Sequence, residues 1–165
     1  MLVFAALARR IFKEWQRFSK TRDSVEAGHQ DATVAERDFH GFPRRAAFRV
    51  LRGIRSGHVL PVVSVAVFLE YQDVLARPGI LPDQLPSTAI TAFLNAFLLA
   101  SEHRDIFFKW RPWLPDPKDE CVLDTAVAAG CVPIVTHNLK DFRPAPKLGV
   151  RVMTPWELVS ELNLP

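Results

Sequence analysis

From residue 46 onward, apolar runs of strand length alternate with patterns of helix length, and this alternation constrains the chain most. "AAFRVLRGIRSG" (46–57) spaces Phe48, Leu51 and Ile54 at three-residue steps and stops at Gly57, as a helix does. "HVLPVVSV" is short and β-branched, which reads as a buried strand. "VFLEYQDVLARPG" returns to helical spacing through Phe68, Leu69, Tyr71, Val74 and Leu75 and ends at Pro78-Gly79. A proline-rich loop (78–86) precedes the helix "TAITAFLNAFLLASEH", which Ser87 is placed to cap. "DIFFKW" (105–110) is expected as a short strand. Next, Asp116 falls at the N-cap, Pro117 at N1 and Asp119 at N3 of a helix that Gly130 ends. "CVPIVT" and "GVRVMT" read as strands, and Thr154-Pro155 opens a final helix. Strand–helix–strand alternation predicts the α/β class: a three-layer α/β/α sandwich around a mostly parallel sheet.

The pattern occupies residues 46–165, a stretch of domain size. Residues 1–45 form an atypical N-terminal segment, polar after a short apolar start and without a clear strand. A length of 165 residues suits one compact domain, and 48% apolar residues suffice for a core. The two cysteines, Cys121 and Cys131, form neither a metal spacing nor a disulfide framework, so a reducing, cytoplasmic setting is expected. The longest apolar run, "VLPVVSVAVFL" (59–69), is too short to span a bilayer. The start "MLVFAALARRIFKEW" lacks the order of a signal peptide. Net charge is +3, with the basic surplus in residues 1–57 and an acidic surplus in residues 58–165. That division suits a phosphate-backbone ligand near an acidic site, and equally an ordinary solvated helix face.

"DPKDECVLDTAVAAGCVPIVTHNLKDF" (116–142) carries acids at both ends of an apolar run. A helix over 119–129 rises roughly 16 Å at 1.5 Å per residue. After a turn at Gly130, a strand over 132–136 returns about 16 Å at 3.3 Å per residue. The lengths nearly cancel, which places Asn138 and Asp141 near Asp119 at the carboxyl edge of the sheet, where open α/β sheets bind ligands. Glu70, early in the helix after "LPVVSV", faces the same edge. Three converging carboxylates repel one another unless a cation sits among them, and Mg²⁺ or Mn²⁺ takes such hard oxygen ligands. Phosphoester cleavage is the chemistry an acidic metal site supports. Each acid also has a plainer role. Asp116 is most simply an N-cap, Asp119 complements a helix dipole, Glu70 is a solvated helix residue and Asp141 is a turn residue.

The segments "SVAVFLEYQDVL", "FFKWRPWLPDPKDECVLDTAVAAG", "IVTHNLKDF" and "GVRVMTPWELV", in this order, resemble the PIN-domain family. The nearest branch is the VapC-like ribonuclease toxins of toxin–antitoxin pairs. The resemblance implies an α/β/α sandwich that cleaves RNA with Mg²⁺ or Mn²⁺ held by acids. By motif, Glu70 matches the second acid, Asp119 the third and Asp141 the fourth. Thr136 and Asn138 match supporting polar positions, beside Asp116. The resemblance further implies a cognate antitoxin protein, RNA as substrate and a homodimer.

One element of the family pattern is missing. The family opens with an apolar strand ending in Asp-Thr-Asn, and no such motif occurs here. Spacing back from "RRAAFRVL" makes Asp31 the nearest stand-in. Alternatively "MLVFA" is the first strand, but "ALARR" follows and supplies no acid. A frame error or misassigned start that replaced residues 1–45 would leave the sheet without its central strand. Three functions therefore compete: a metal-dependent endoribonuclease toxin, a catalytically impaired remnant serving as an interaction module, and an unrelated α/β domain. The last has no glycine-rich phosphate loop to recommend it as a nucleotide binder.

Overall fold

The computed structural model describes residues 1–4, 42–77, 86–109 and 111–164. Its centre is the chain's first apolar run. Val3–Phe4 (β1) is buried on both faces of the sheet, as alternating side chains require when layers cover both sides. The Val3 amide donates to Pro133 O at 3.0 Å on one flank. On the other flank, Leu2 N donates to Leu60 O at 3.0 Å and Val62 N donates to Leu2 O at 2.8 Å. The alternative reading of "MLVFA" as the first strand is thus met at Leu2–Phe4, and the central strand that a frame error would have removed is present.

Ile134–Val135 (β4) pairs in parallel with β1, and Val152–Met153 (β5) pairs in parallel with β4. Val62–Val63 (β2) pairs in parallel with Glu102–His103 (β3), and a parallel Leu2–Pro61 bridge joins this pair to β1. The strand order is thus β3-β2-β1-β4-β5, and every pairing among the described residues is parallel. Five α-helices are described. Phe42–Arg55 (α1) packs on Pro155–Glu161 (α5), whereas Val65–Ala76 (α2) packs on Glu120–Ala128 (α4). Helix α4 also lies against β1, β2 and β4. The result is the mixed α/β fold with a parallel sheet that the sequence predicts. Among the described residues, no helix is long and apolar enough to cross a membrane.

Several local expectations shift. Helix α1 starts at Phe42 rather than Ala46, with Pro43 in its first turn, and buries Ala46, Ala47, Val50, Leu51 and Ile54. Phe48 is only half-buried. In α2 the core stripe is Val67, Tyr71 and Leu75, so Leu69 is exposed. Ser87 does not cap Ser87–Leu99 (α3): the N-cap is Pro86, in an extended conformation, and Ser87 is the first helical residue, its carbonyl accepting from Thr91 Oγ1 at 3.2 Å. Of "DIFFKW", residues 105–109 are not in a strand, and the last residue lies outside the described ones. The strand lies just before it at Glu102–His103, where the open backbone groups of β2 are met, and Arg104 N makes the last bond of that ladder, to Val63 O. Helix α4 begins at Glu120, with Asp119 rather than Asp116 at its N-cap. Gly130, at φ +85°, supplies the left-handed turn after it.

Candidate functional site

The start of α2 is tied to the middle of α4 by hydroxyls. Ser64, the N-cap of α2, accepts from Val67 N at 3.3 Å and lies 2.7 Å from Thr125 Oγ1. Thr125 in turn donates to Cys121 O at 2.7 Å, so the Ser64 hydroxyl is the donor to Thr125. Both side chains are buried, and a buried hydroxyl pair with every role filled fixes geometry. This link brings Glu70, in the second turn of α2, to the same edge as the start of α4.

Before α4, Asp116 Oδ1 accepts from Lys118 N at 2.9 Å, and Asp116 O accepts from Asp119 N at 3.1 Å. Asp116 therefore shapes the turn that leads into the helix, one step earlier than an N-cap. Asp119 occupies the cap position but makes no side-chain capping bond. Its carboxyl is pushed up to about 6, first by burial and then by the charges of Asp116, Asp141 and Glu70. Those four acids, drawn from three separate stretches of chain, are thus near enough for their charges to act on one another. Glu70 also faces Arg77, whose Nη2 stands 3.6 Å from Glu70 Oε1.

Across the sheet edge, Thr136 follows β4 and is fully buried. Its Oγ1 accepts from Asn138 N at 3.0 Å, and Asn138 Nδ2 donates to Asp141 Oδ2. The polar residues at the end of this strand therefore orient Asp141. Asp31 lies outside the described residues. Among the described residues, no three His, Cys, Asp or Glu side chains stand together as a ready metal cage. The acids share an edge without closing on a point.

Two interior acids escaped the sequence reading. Glu120 is 1% exposed, and its Oε1 accepts from Trp113 N at 2.6 Å and Leu114 N at 2.8 Å, which anchors the loop before α4. Asp124, one turn on, is equally buried, with Arg111 Nε 3.5 Å from its Oδ2. Their signal was available: α4 is apolar nearly all round, and acids four residues apart on such a helix must lie inside. Cys121, between them, has its thiol pushed up to about 11, first by burial and then by the Glu70 charge.

An open parallel sheet with helices on both faces, and carboxylates gathered where its strands end, defines a class of α/β domain that handles charged ligands at that edge. The family model for the PIN domain matches residues 8–140, and the chain belongs to the PIN-domain family. PIN domains are in general nucleases that require a divalent metal ion. No curated protein and no solved structure matches the chain.

Proposed function

We propose that this PIN domain is a metal-dependent endoribonuclease, the toxin of a toxin–antitoxin pair, which hydrolyses RNA phosphodiester bonds at the carboxyl edge of its sheet. The observation that carries the reading is the approach of Glu70, Asp119 and Asp141 to one edge from three chain segments. Their donor chemistry fits a hard divalent cation, Mg²⁺ or Mn²⁺: all ligands are oxygens, and their mutual repulsion is relieved by positive charge. Such an ion, when bound, supplies neutralisation of phosphate charge and a more acidic water. Arg77, whose Nη2 stands 3.6 Å from Glu70 Oε1, competes with a cation for that oxygen. Asn138 orients Asp141, Thr136 fixes the backbone of Asn138, and Asp116 sets the turn that presents Asp119. Asp31 is retained as candidate for the first acid of the family pattern. A cognate antitoxin covering this edge, a homodimer and a cytoplasmic setting complete the proposal.

The test is RNA cleavage by the full chain with Mg²⁺ or Mn²⁺, beside the Asp119→Asn variant. A loss of at least about a hundredfold is expected. Equal cleavage by the two proteins would sink the reading.

A second reading is favoured by one observation. Phe4 ends β1 and Ala5 follows it in sequence, where the family pattern has its first aspartate. On that reading the domain has lost cleavage and acts only as a protein-interaction module. It predicts no metal-dependent cleavage and no heat of Mn²⁺ binding in calorimetry, with retained binding to a small partner protein.

A further inference from the structure

Strand β5 ends the described sheet on the β4 side, and its outer edge carries unused backbone groups. Ile134 N donates to Arg151 O at 2.8 Å, and Thr136 N donates to Met153 O at 2.9 Å, so residues 151 and 153 face β4. In a parallel ladder the residue between them points its N–H and C=O the other way. Those are the groups of Val152, and among the described residues no strand lies beside them. The seam is short, because Val150 N already donates to Ala145 O at 3.3 Å and Thr154 N to Glu157 Oε2 at 2.6 Å. The crossover from β4 folds back through the 3-10 turn Ala145–Leu148 and leaves a shallow groove of about 530 Å³ against the strand. Its apolar part includes Leu139, Phe142 and Val150, and Arg143, Arg151 and Val152 also line it.

Cations gather here although residues 58–165 as a whole carry an acidic surplus. Residues 139–152 hold Lys140, Arg143, Lys147 and Arg151 against a single acid, Asp141. Asp141 is engaged by Asn138, and Arg151 pairs with Glu161. The side chains of Lys140, Arg143 and Lys147 are exposed and enter no ion pair among the described residues. A strand edge flanked by unpaired cations deters a second copy of this chain, which would bring the same charges against them. A nucleic-acid strand also fits poorly. Its phosphates would meet the Val152 carbonyl as like charges, and the one ring of the groove, Phe142, is 1% exposed and offers a base no face. An extended peptide matches the seam, because its own N–H and C=O alternate in the same way. Acidic side chains at alternate positions of such a peptide reach the cations, while apolar ones between them cover Leu139, which is 42% exposed.

We propose that the outer edge of β5 and the groove beside it dock a short, extended, acidic segment of a partner protein, added to the sheet as a further strand. The Val152 backbone gives the main-chain bonds, and Lys140, Arg143 and Lys147 select the charge. The proposal does not rest on the ribonuclease reading, since Glu70 and Asp119 take no part in it.

The experiment measures fluorescence anisotropy of a short labelled peptide of alternating glutamate and valine with the full chain in EDTA at low salt. Saturable binding to the parent is expected, weakening as salt is added. The Arg143→Glu/Lys147→Glu variant is expected to bind the peptide at least about tenfold more weakly. Both side chains are exposed, so its melting temperature should match the parent's, and circular dichroism verifies it. A peptide of the same sequence, N-methylated at alternate backbone nitrogens, is expected to bind at least about tenfold more weakly, because it lacks the donors a strand needs. Asp119→Asn is expected to bind as the parent does, which keeps this site apart from the acidic edge. No binding by the parent overturns the proposal, as does equal binding by the charge-reversed variant. Equal binding of the N-methylated peptide overturns strand addition. A short single-stranded RNA that binds the parent more tightly than the peptide, and is lost in the charge-reversed variant, overturns it in favour of a nucleic-acid path.

Discussion

Helices α4 and α5 begin with the same ingredients, a small polar or acidic residue followed closely by glutamate, yet their first turns do opposite things. At α5 the parts close on one another. Thr154 Oγ1 accepts from Glu157 N at 3.2 Å, and Glu157 Oε2 accepts from Thr154 N at 2.6 Å, a complete capping box. Those bonds hold the Glu157 carboxyl below its usual range. At α4, Asp119 stands at the cap and caps nothing, and its carboxyl rises to about 6 under burial and three neighbouring charges. One acid is there for the helix. The other sits where burial and three neighbouring acids disfavour its charge.

Glu120 sharpens the contrast with the largest expected effect on stability. Replacing it with alanine leaves the amides of Trp113 and Leu114 buried without their acceptor. Glu120→Ala is therefore expected to lose about 3 kcal/mol in urea unfolding. Thr154→Ala removes the α5 cap and is expected to lose about 1 kcal/mol, or a drop of roughly 2–4 °C in melting temperature. A smaller effect of opposite sign is expected at α4. Asp119→Asn should raise the melting temperature at pH 7 by about 1–3 °C, while a fall would return Asp119 to the role of a structural cap.

The pH dependence of the two helix starts runs in opposite directions. With Asp119 raised in the folded state, the folded chain holds more protons than the unfolded one between about pH 4 and about pH 6. Its contribution to stability therefore falls as pH rises through that window, and the Asp119→Asn gain should vanish below about pH 4. Glu157 is lowered, so its contribution is present above the ordinary carboxylate range and is lost as pH falls. Melting curves of the two single variants against pH separate these slopes. The last probe is metal. Mn²⁺ at about ten times its dissociation constant should stabilise the parent by roughly 1.4 kcal/mol, and Asp119→Asn by clearly less.

Much of this was legible in the chain because local chemistry decided it. Gly57 and Gly130 adopt positive φ after their helices, and Thr154-Pro155 opens α5 as its residue types dictate. The shared edge of Glu70, Asp119 and Asp141 followed from the rises of one helix and one strand. What stayed hidden was set by distant contacts. Asp116 and Asp119 are equivalent caps until Lys118 and Glu120 choose their partners. "DIFFKW" has the composition of a strand, but strand status depends on a free neighbour, and β3 had already taken it two residues earlier. The central position of Leu2–Phe4 depends on residues 60–62 and 133–135, which no local pattern announces.

The hydroxyl relay from Val67 N through Ser64 and Thr125 to Cys121 O has a mechanical consequence. It pins two helices, more than fifty residues apart in sequence, at a single buried point, Ser64 on one and Thr125 on the other. A filled hydroxyl pair at that point restrains the two helices relative to each other. Slow exchange of the Val67 amide would be the signature of the pin.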